Sequence, residues 1–231
     1  MRNHRKLIEK ADLCLATARK LLKEVELYRP DVLYCPNAAD FEFFARAQNR
    51  GEHRLPVDLE AVVAGGKPII GYYGALASWF DYELVEYVAG KRKEYNFVLI
   101  GPDYDQTLKK SKILQMNNVF WLGPKKYHEL ISYLAFFDVA VIPFKINNIT
   151  LSTNPIKLFE YLSAARPVVT TAMPECRQYP EVFVSKTPED FAKNLDRALQ
   201  VRNDKDFLAR LVEVGRNNSW ESRAREVAAR F

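Results

Sequence analysis

From Pro68 onward, short apolar runs alternate with segments whose apolar residues recur at helical spacing. The runs cover residues 69–73, 97–100, 119–122, 139–142, 168–170 and 182–184. Between them, Phe80, Leu84, Tyr87 and Val88 fall at i, i+4, i+7 and i+8, and Tyr127, Leu130, Ile131 and Leu134 at i, i+3, i+4 and i+7. Phe191, Leu195, Ala198 and Leu199 repeat the first spacing behind Thr187-Pro188-Glu189-Asp190, a helix-start signature. Strands that are apolar throughout belong to a parallel sheet covered on both faces. The pattern therefore predicts an α/β fold built on a doubly wound, Rossmann-like parallel sheet.

The first part of the chain carries a smaller version of the same pattern. An apolar run at 13–16, a helical pattern at 18–28 and a second run at 32–35 predict one βαβ piece. The polar stretch 47–56 (AQNRGEHRLP) then separates residues 1–56 from residues 57–231.

In open parallel sheets ligands bind beyond the carboxyl ends of the strands. Those ends read Gly71-Tyr72-Tyr73-Gly74, Gly101-Pro102-Asp103, Gly123-Pro124-Lys125 and Pro143-Phe144-Lys145. Gly74 and the loop through Ser78 lead into a helix whose free N–H groups are placed to hold a phosphate. The spacing matches neither GxGxxG nor a Walker A loop, which disfavours NAD and P-loop ATP chemistry. Further on, Asn154 reads as an N-cap and Pro155 as the first helical residue. Lys157 then falls in the first turn, where the helix dipole disfavours a cation unless an anion binds there. Glu160, one turn later, is suited to accept hydrogen bonds from sugar hydroxyls; the alternative is a Lys157–Glu160 surface pair. The polar segment 145–153, which includes Ser152, is long for such a fold and reads either as a ligand-covering loop or as an ordinary surface loop. No nucleophile constellation emerges and no catalytic residue is assigned. Asp103 and Asp105 read as turn and cap residues, and His128 as a solvated helix residue.

Composition narrows the classes. With 48% hydrophobic and 13% aromatic residues the 231-residue chain has enough apolar surface for a core. Three scattered cysteines and three histidines argue against a disulfide framework or a metal centre and for a reducing, cytoplasmic setting. No run approaches a membrane span, and the N-terminus has no apolar core of a signal peptide. It begins abruptly in amphipathic sequence, as a piece of a longer protein does. Of the net charge of +5, four come from residues 1–29, with eight Lys and Arg against four acids. That end is suited to solvated helix faces or to peripheral contact with an anionic membrane. The dispersed basic residues and the absence of a binding motif argue against nucleic acid.

Several of these segments together resemble a known family. They are Gly74, Val119-Phe-Trp-Leu-Gly123, Tyr127-His-Glu-Leu130, Phe137-Asp138-Val-Ala-Val-Ile-Pro143-Phe144 and Pro155-Ile-Lys157-Leu-Phe-Glu160-Tyr-Leu-Ser-Ala-Ala-Arg-Pro167-Val-Val. They look like the C-terminal, donor-binding domain of retaining glycosyltransferases of family 4, which have two Rossmann domains in the GT-B arrangement. Pro36-Asn37-Ala38-Ala39-Asp40 resembles the family's segment at the end of the acceptor domain, and Ser219-Trp220-Glu221 its returning final helix. The resemblance implies that residues 1–56 are a remnant of the acceptor domain plus linker, and residues 57–231 the nucleotide-sugar domain.

It also implies a UDP- or GDP-sugar donor, no separate cofactor or metal, and a glycan or lipid-linked acceptor held mainly by the rest of the N-terminal domain. The setting implied is cell-envelope or exopolysaccharide synthesis, with the fragment inactive alone. By the resemblance Glu160 meets the ribose and Lys157 the diphosphate. Gly74 and Ser78 belong to the phosphate-facing loop, Gly123 and Lys125 to the nucleobase side, Ser152 to the position of the usual sugar contact, and Asn154 to the same substrate-binding set as the cap before Lys157. Three departures bear on this: Ser152 stands for the first Glu of the E-x7-E motif, Ala75 and Phe80 for two cations, and Ala165-Arg166 for Gly-Lys. A non-catalytic nucleotide- or phosphosugar-binding module is the alternative. An epimerase and a receiver domain lack their required acids here.

Overall fold

The computed structural model describes residues 2–230. The helix α1 (Arg2–Lys10) leads into a unit of β1 (Leu15–Ala16), α2 (Arg19–Glu26) and β2 (Leu33–Tyr34), whose strands pair in parallel as the sequence predicts. Short helices α3 (Phe41–Ala45) and α4 (Glu60–Ala64) follow. A six-stranded parallel sheet then forms from β3 (Ile69–Tyr73), β4 (Asn96–Ile100), β5 (Val119–Trp121), β6 (Val139–Ile142), β7 (Val168–Thr171) and β8 (Phe183–Ser185). Its order is β5-β4-β3-β6-β7-β8, all pairs parallel. The connecting helices are α5 (Tyr82–Lys91), α6 (Thr107–Lys110), α7 (Leu130–Leu134), α8 (Ile156–Ser163) and α9 (Pro188–Val201), and α10 (Lys205–Asn217) and α11 (Trp220–Ala228) close the chain.

Every residue of β3, β4 and β6 is buried, which is why their runs are apolar without alternation. Several helix starts are fixed by local side chains. Asp81 accepts from Leu84 N–H, Thr187 from Asp190 N–H, Asp204 from Phe207 N–H and Ser219 from Ser222 N–H, each worth about 1 kcal/mol. The final helix folds back as expected. Trp220 N–H donates to the Ala39 carbonyl, and buried Arg223 donates through Nε to the Pro36 carbonyl at 3.1 Å.

The polar stretch 47–56 is less loose than its composition suggests. It forms two 3-10 turns, Arg46–Gln48 and Arg50–Glu52, and Ala47 is fully buried. The buried Arg166 guanidinium donates to the carbonyls of Ala47 at 2.7 Å, Leu134 at 3.2 Å and Ala135 at 3.2 Å. Burial lowers its pKa to about 10. Residue 166 therefore ties this stretch to the large sheet unit. Ala165 before it lies at φ +55°, a left-handed position that glycine fills more easily.

Candidate functional site

The strand order reverses between β3 and β6, so the crevice of the sheet opens at the carboxyl ends of those two strands. Gly74 follows β3, and α8 begins shortly after β6. Two loops meet there backbone to backbone, and the Lys157 side chain reaches the first of them. A Cβ on Gly101 would lie 1.9 Å from the Gly74 carbonyl oxygen, and one on Gly74 would lie 2.4 Å from Lys157 Cε. Both glycines also have positive φ, +143° and +136°. Gly74 and Gly101 are thus positions of close approach, but Gly71 serves another purpose. It sits inside β3, and its missing side chain makes room for the Phe137 ring.

The expected phosphate cradle after β3 is mostly closed. Gly74 N–H donates to the Ile100 carbonyl, Leu76 N–H to Pro102, and Ser78 N–H to Asp105 Oδ2 at 2.9 Å. The start of α5 is already capped by the Asp81 carboxylate, so an anion there meets a like charge. The open helix start is that of α8. Asn154 is not its cap: Pro155 holds the cap position and no side chain bonds the first turn. Asn154 points its Nδ2 to Glu175 at 3.4 Å, and its buried Oδ1 has no partner.

Lys157 stands at that helix start, its Nζ 5.7 Å from the rings of Tyr72 and Phe144. Tyr72 also braces the loop by donating its hydroxyl to the Ala75 carbonyl at 3.0 Å. Burial pulls the Lys157 pKa down and the nearby Glu160 pulls it back up. Glu160 is 8% exposed, and burial raises its pKa while Lys157 opposes. Among the described residues the two form no ion pair with each other or with a third residue. The surface-pair reading of Lys157 and Glu160 is thereby overturned: Glu160 is buried, Lys157 is half-buried, and the two feel each other's charge without closing an ion pair. Against Glu160 stand Tyr127 and the buried Tyr73, which the apolar-run pattern had absorbed into a strand. Tyr127 stacks on Phe43 at 5.3 Å, so residues after α3's start also border this side.

The remaining expected residues divide. Gly123, at φ +70° with open space around it, accepts Gly101 N–H through its carbonyl and stays at the crevice rim. Lys125 is held elsewhere. Its Nζ pairs with Asp58 at 2.8 Å and donates to the Leu122 carbonyl at 2.7 Å, with the Tyr133 ring 5.5 Å away. Its role is to tie the β5 loop to residues 57–59, and it offers no free cation. Ser78 is exposed and held through its backbone. Ser152 ends a 3-10 turn, Thr150–Ser152, and its hydroxyl donates to the Asn148 carbonyl at 3.3 Å. Segment 145–153 is thus ordered by Thr150 and Asn147 and touches α2, a more structured element than its polar composition suggests. Asp103 and Asp105 hold the N–H groups of Leu108 and Thr107, as turn residues do. Among the described residues no group of three or more metal-ligating side chains comes together.

Sequence spacing gave no sign of Glu175. It is fully buried and accepts from Arg19 N–H, Tyr34 hydroxyl, Gln178 Nε2 and Asn154 Nδ2. It thereby joins the small βαβ unit to the start of α8.

The comparisons with known proteins agree with this architecture. A Bacillus subtilis (strain 168) protein named as a teichuronic acid biosynthesis glycosyltransferase is 23% identical over 96% of this chain and 57% of its own length. The chain thus spans little more than half of that relative. The Anabaena protein HepE, solved in complex with UDP and glucose, superposes with a TM-score of 0.71 at 14% identity, covering 99% of this chain and 65% of HepE. A UDP-forming α,α-trehalose-phosphate synthase from Burkholderia xenovorans gives 0.75 at 14% identity, covering 99% and 63%. These two likenesses show the fold, a GT-B-type Rossmann-like domain. The family model described as glycosyl transferases group 1 matches residues 67–201, more than half of the chain and all six strands of the sheet. The chain belongs to the glycosyl transferases of group 1.

Proposed function

We propose that this chain binds the nucleoside diphosphate of a UDP- or GDP-sugar and serves glycosyl transfer to a glycan or lipid-linked acceptor in cell-envelope or exopolysaccharide synthesis. The observation that carries the reading is Lys157. A half-buried lysine in the first turn of a helix with no side-chain cap, closing no ion pair among the described residues, is a site for an anion. Bound diphosphate would restore its charge balance and hold the developing negative charge of the leaving group. Glu160, one turn on, accepts from vicinal hydroxyls, as a ribose offers. The UDP complex of HepE and the teichuronic acid biosynthesis in the B. subtilis relative's name favour the same donor and setting. Among the described residues no helix is long and apolar enough to cross a membrane, and the basic α1 and α2 suit a protein working at a cytoplasmic membrane face. Acceptor contacts fall to parts of the full protein outside residues 57–231.

Calorimetric titration with UDP, GDP and ADP tests the reading. One of them should bind, and Lys157→Met should weaken it about 10–100-fold, the worth of a charge-assisted hydrogen bond of ~1.5–3 kcal/mol. No binding at millimolar nucleotide, or equal binding by the variant, would refute it. The rival reading, a binding module without transfer, is favoured by Ser152 at the position of a family carboxylate. Turnover of labelled sugar nucleotide by the full-length protein separates the two.

A further inference from the structure

Tyr73 and Glu160 are buried next to each other, and the Tyr73 hydroxyl is left without a partner. Tyr73, the last residue of β3, is 3% exposed, and its hydroxyl has no hydrogen-bond partner. It faces the Glu160 carboxylate closely enough for each to perturb the other, yet short of hydrogen-bond geometry. Nothing else about Tyr73 is free to adjust. Its N–H donates to the Tyr161 hydroxyl at 3.1 Å, and its ring packs against Tyr161 at 4.9 Å and Phe44 at 6.5 Å. The hydroxyl is therefore fixed in place, and burial keeps it protonated, a donor at any ordinary pH.

The carboxylate is the part that can move. The terminal torsion of a glutamate is broad, so a rotation with no backbone shift brings one oxygen to the phenol. A carboxylate has two oxygens with about four acceptor positions, and a single phenol fills one of them. The second oxygen is left for donors from outside the protein. We propose that Tyr73 is the positioning residue of Glu160: it holds one carboxylate oxygen so that the other grips the ribose diol of the bound nucleoside diphosphate. This rests on the nucleoside-diphosphate reading of the site. It adds that selection of ribose over deoxyribose is built by a pair, one member on the strand and one on the helix.

Titration calorimetry with UDP and GDP, each beside its 2′,3′-dideoxy analogue, tests the pair in the wild type, Tyr73→Phe, Glu160→Gln and the double variant. Tyr73→Phe should weaken the ribonucleotide about 5–10-fold, as loss of one hydrogen bond does. It should leave the dideoxy analogue unchanged, and it should have no further effect on top of Glu160→Gln. Equal weakening of both ligands, no weakening of either, or an effect that persists in the Glu160→Gln background overturns the assignment. Tyr73→Phe removes only an unpartnered hydroxyl, so its Tm should match or exceed the wild type; a clear drop would make the role structural and overturn it too. If the wild type binds none of the four nucleotides, the nucleotide reading falls and this assignment with it. If it binds the ribonucleotides and Tyr73→Phe behaves like wild type, only this assignment falls.

Discussion

Replacing Glu175 by Gln should loosen the hold of the small βαβ unit on the large sheet. The carboxylate is fully buried and receives four donors: Arg19 N–H at 2.7 Å, Tyr34 hydroxyl at 2.5 Å, Gln178 Nε2 at 2.9 Å and Asn154 Nδ2 at 3.4 Å. It stands in for a missing cap, because Ala18 gives α2 no side-chain acceptor. A glutamine has nearly the same shape but one acceptor oxygen and an NH2 group. With its oxygen in the Oε2 place the amide keeps three of these donors, and its NH2 then faces the Arg19 N–H, which needs an acceptor. Leaving that half-buried donor unmet costs about 1–3 kcal/mol, and the surviving bonds lose their charge assistance. Relief from burying a carboxylate offsets part of this. The net expectation is a loss of about 1–3 kcal/mol, an appreciable share of an ordinary domain's ~5–15 kcal/mol. Urea denaturation should show a lower midpoint. Limited trypsin digestion should cut at Lys20, Lys23 or Arg29 before it cuts within residues 67–201. A midpoint within about 0.5 kcal/mol of wild type, the range of a neutral surface change, would refute the reasoning. So would a digestion order that does not change.

Two further outcomes follow from the geometry. Gly101→Ala sets a Cβ 1.9 Å from the Gly74 carbonyl oxygen at φ +143°, so the β3 loop must shift; thermal denaturation should show a loss of several °C and nucleotide affinity should fall, whereas an unchanged Tm would contradict the close approach. Burial raises the Glu160 pKa above its unfolded value, so the ligand-free protein loses stability as the pH rises from the ordinary carboxyl range through the raised folded value. Glu160→Gln should therefore be the more stable protein at neutral pH, with the gap closing on acidification in Tm measured against pH; a gap that widens on acidification would reverse the sign.

Much of this molecule can be read without coordinates. The six apolar runs became six parallel strands, because a strand covered on both faces carries no alternation and so stands out. The segment from Pro155 to Leu162 became a helix pointing its start at the crevice, because fold topology places the start of a crossover helix at the carboxyl edge. Other expectations failed for reasons outside local sequence. Lys125 was expected on the nucleobase side and is paired by Asp58, from a segment that no spacing rule connects to it. Asn154 looked like a cap because asparagine before proline at a helix start usually is one; Glu175 drew its amide away. The loop after β3 looked like a phosphate cradle, but its N–H groups found carbonyls of the β4 loop.

By itself the sequence determined what periodicity and local chemistry encode: the strands, most helices, their starts, the parallel sheet and the place of Lys157 and Glu160 on one helical turn. Only the tertiary structure decided which polar groups are satisfied. Whether Lys157 and Glu160 pair, whether Tyr73 finds a partner and what gathers around Glu175 depend on residues up to 156 positions apart in the chain meeting at one point. Such meetings leave no periodic trace in either segment. A site defined by polar groups left without partners becomes visible only when every neighbour is in place.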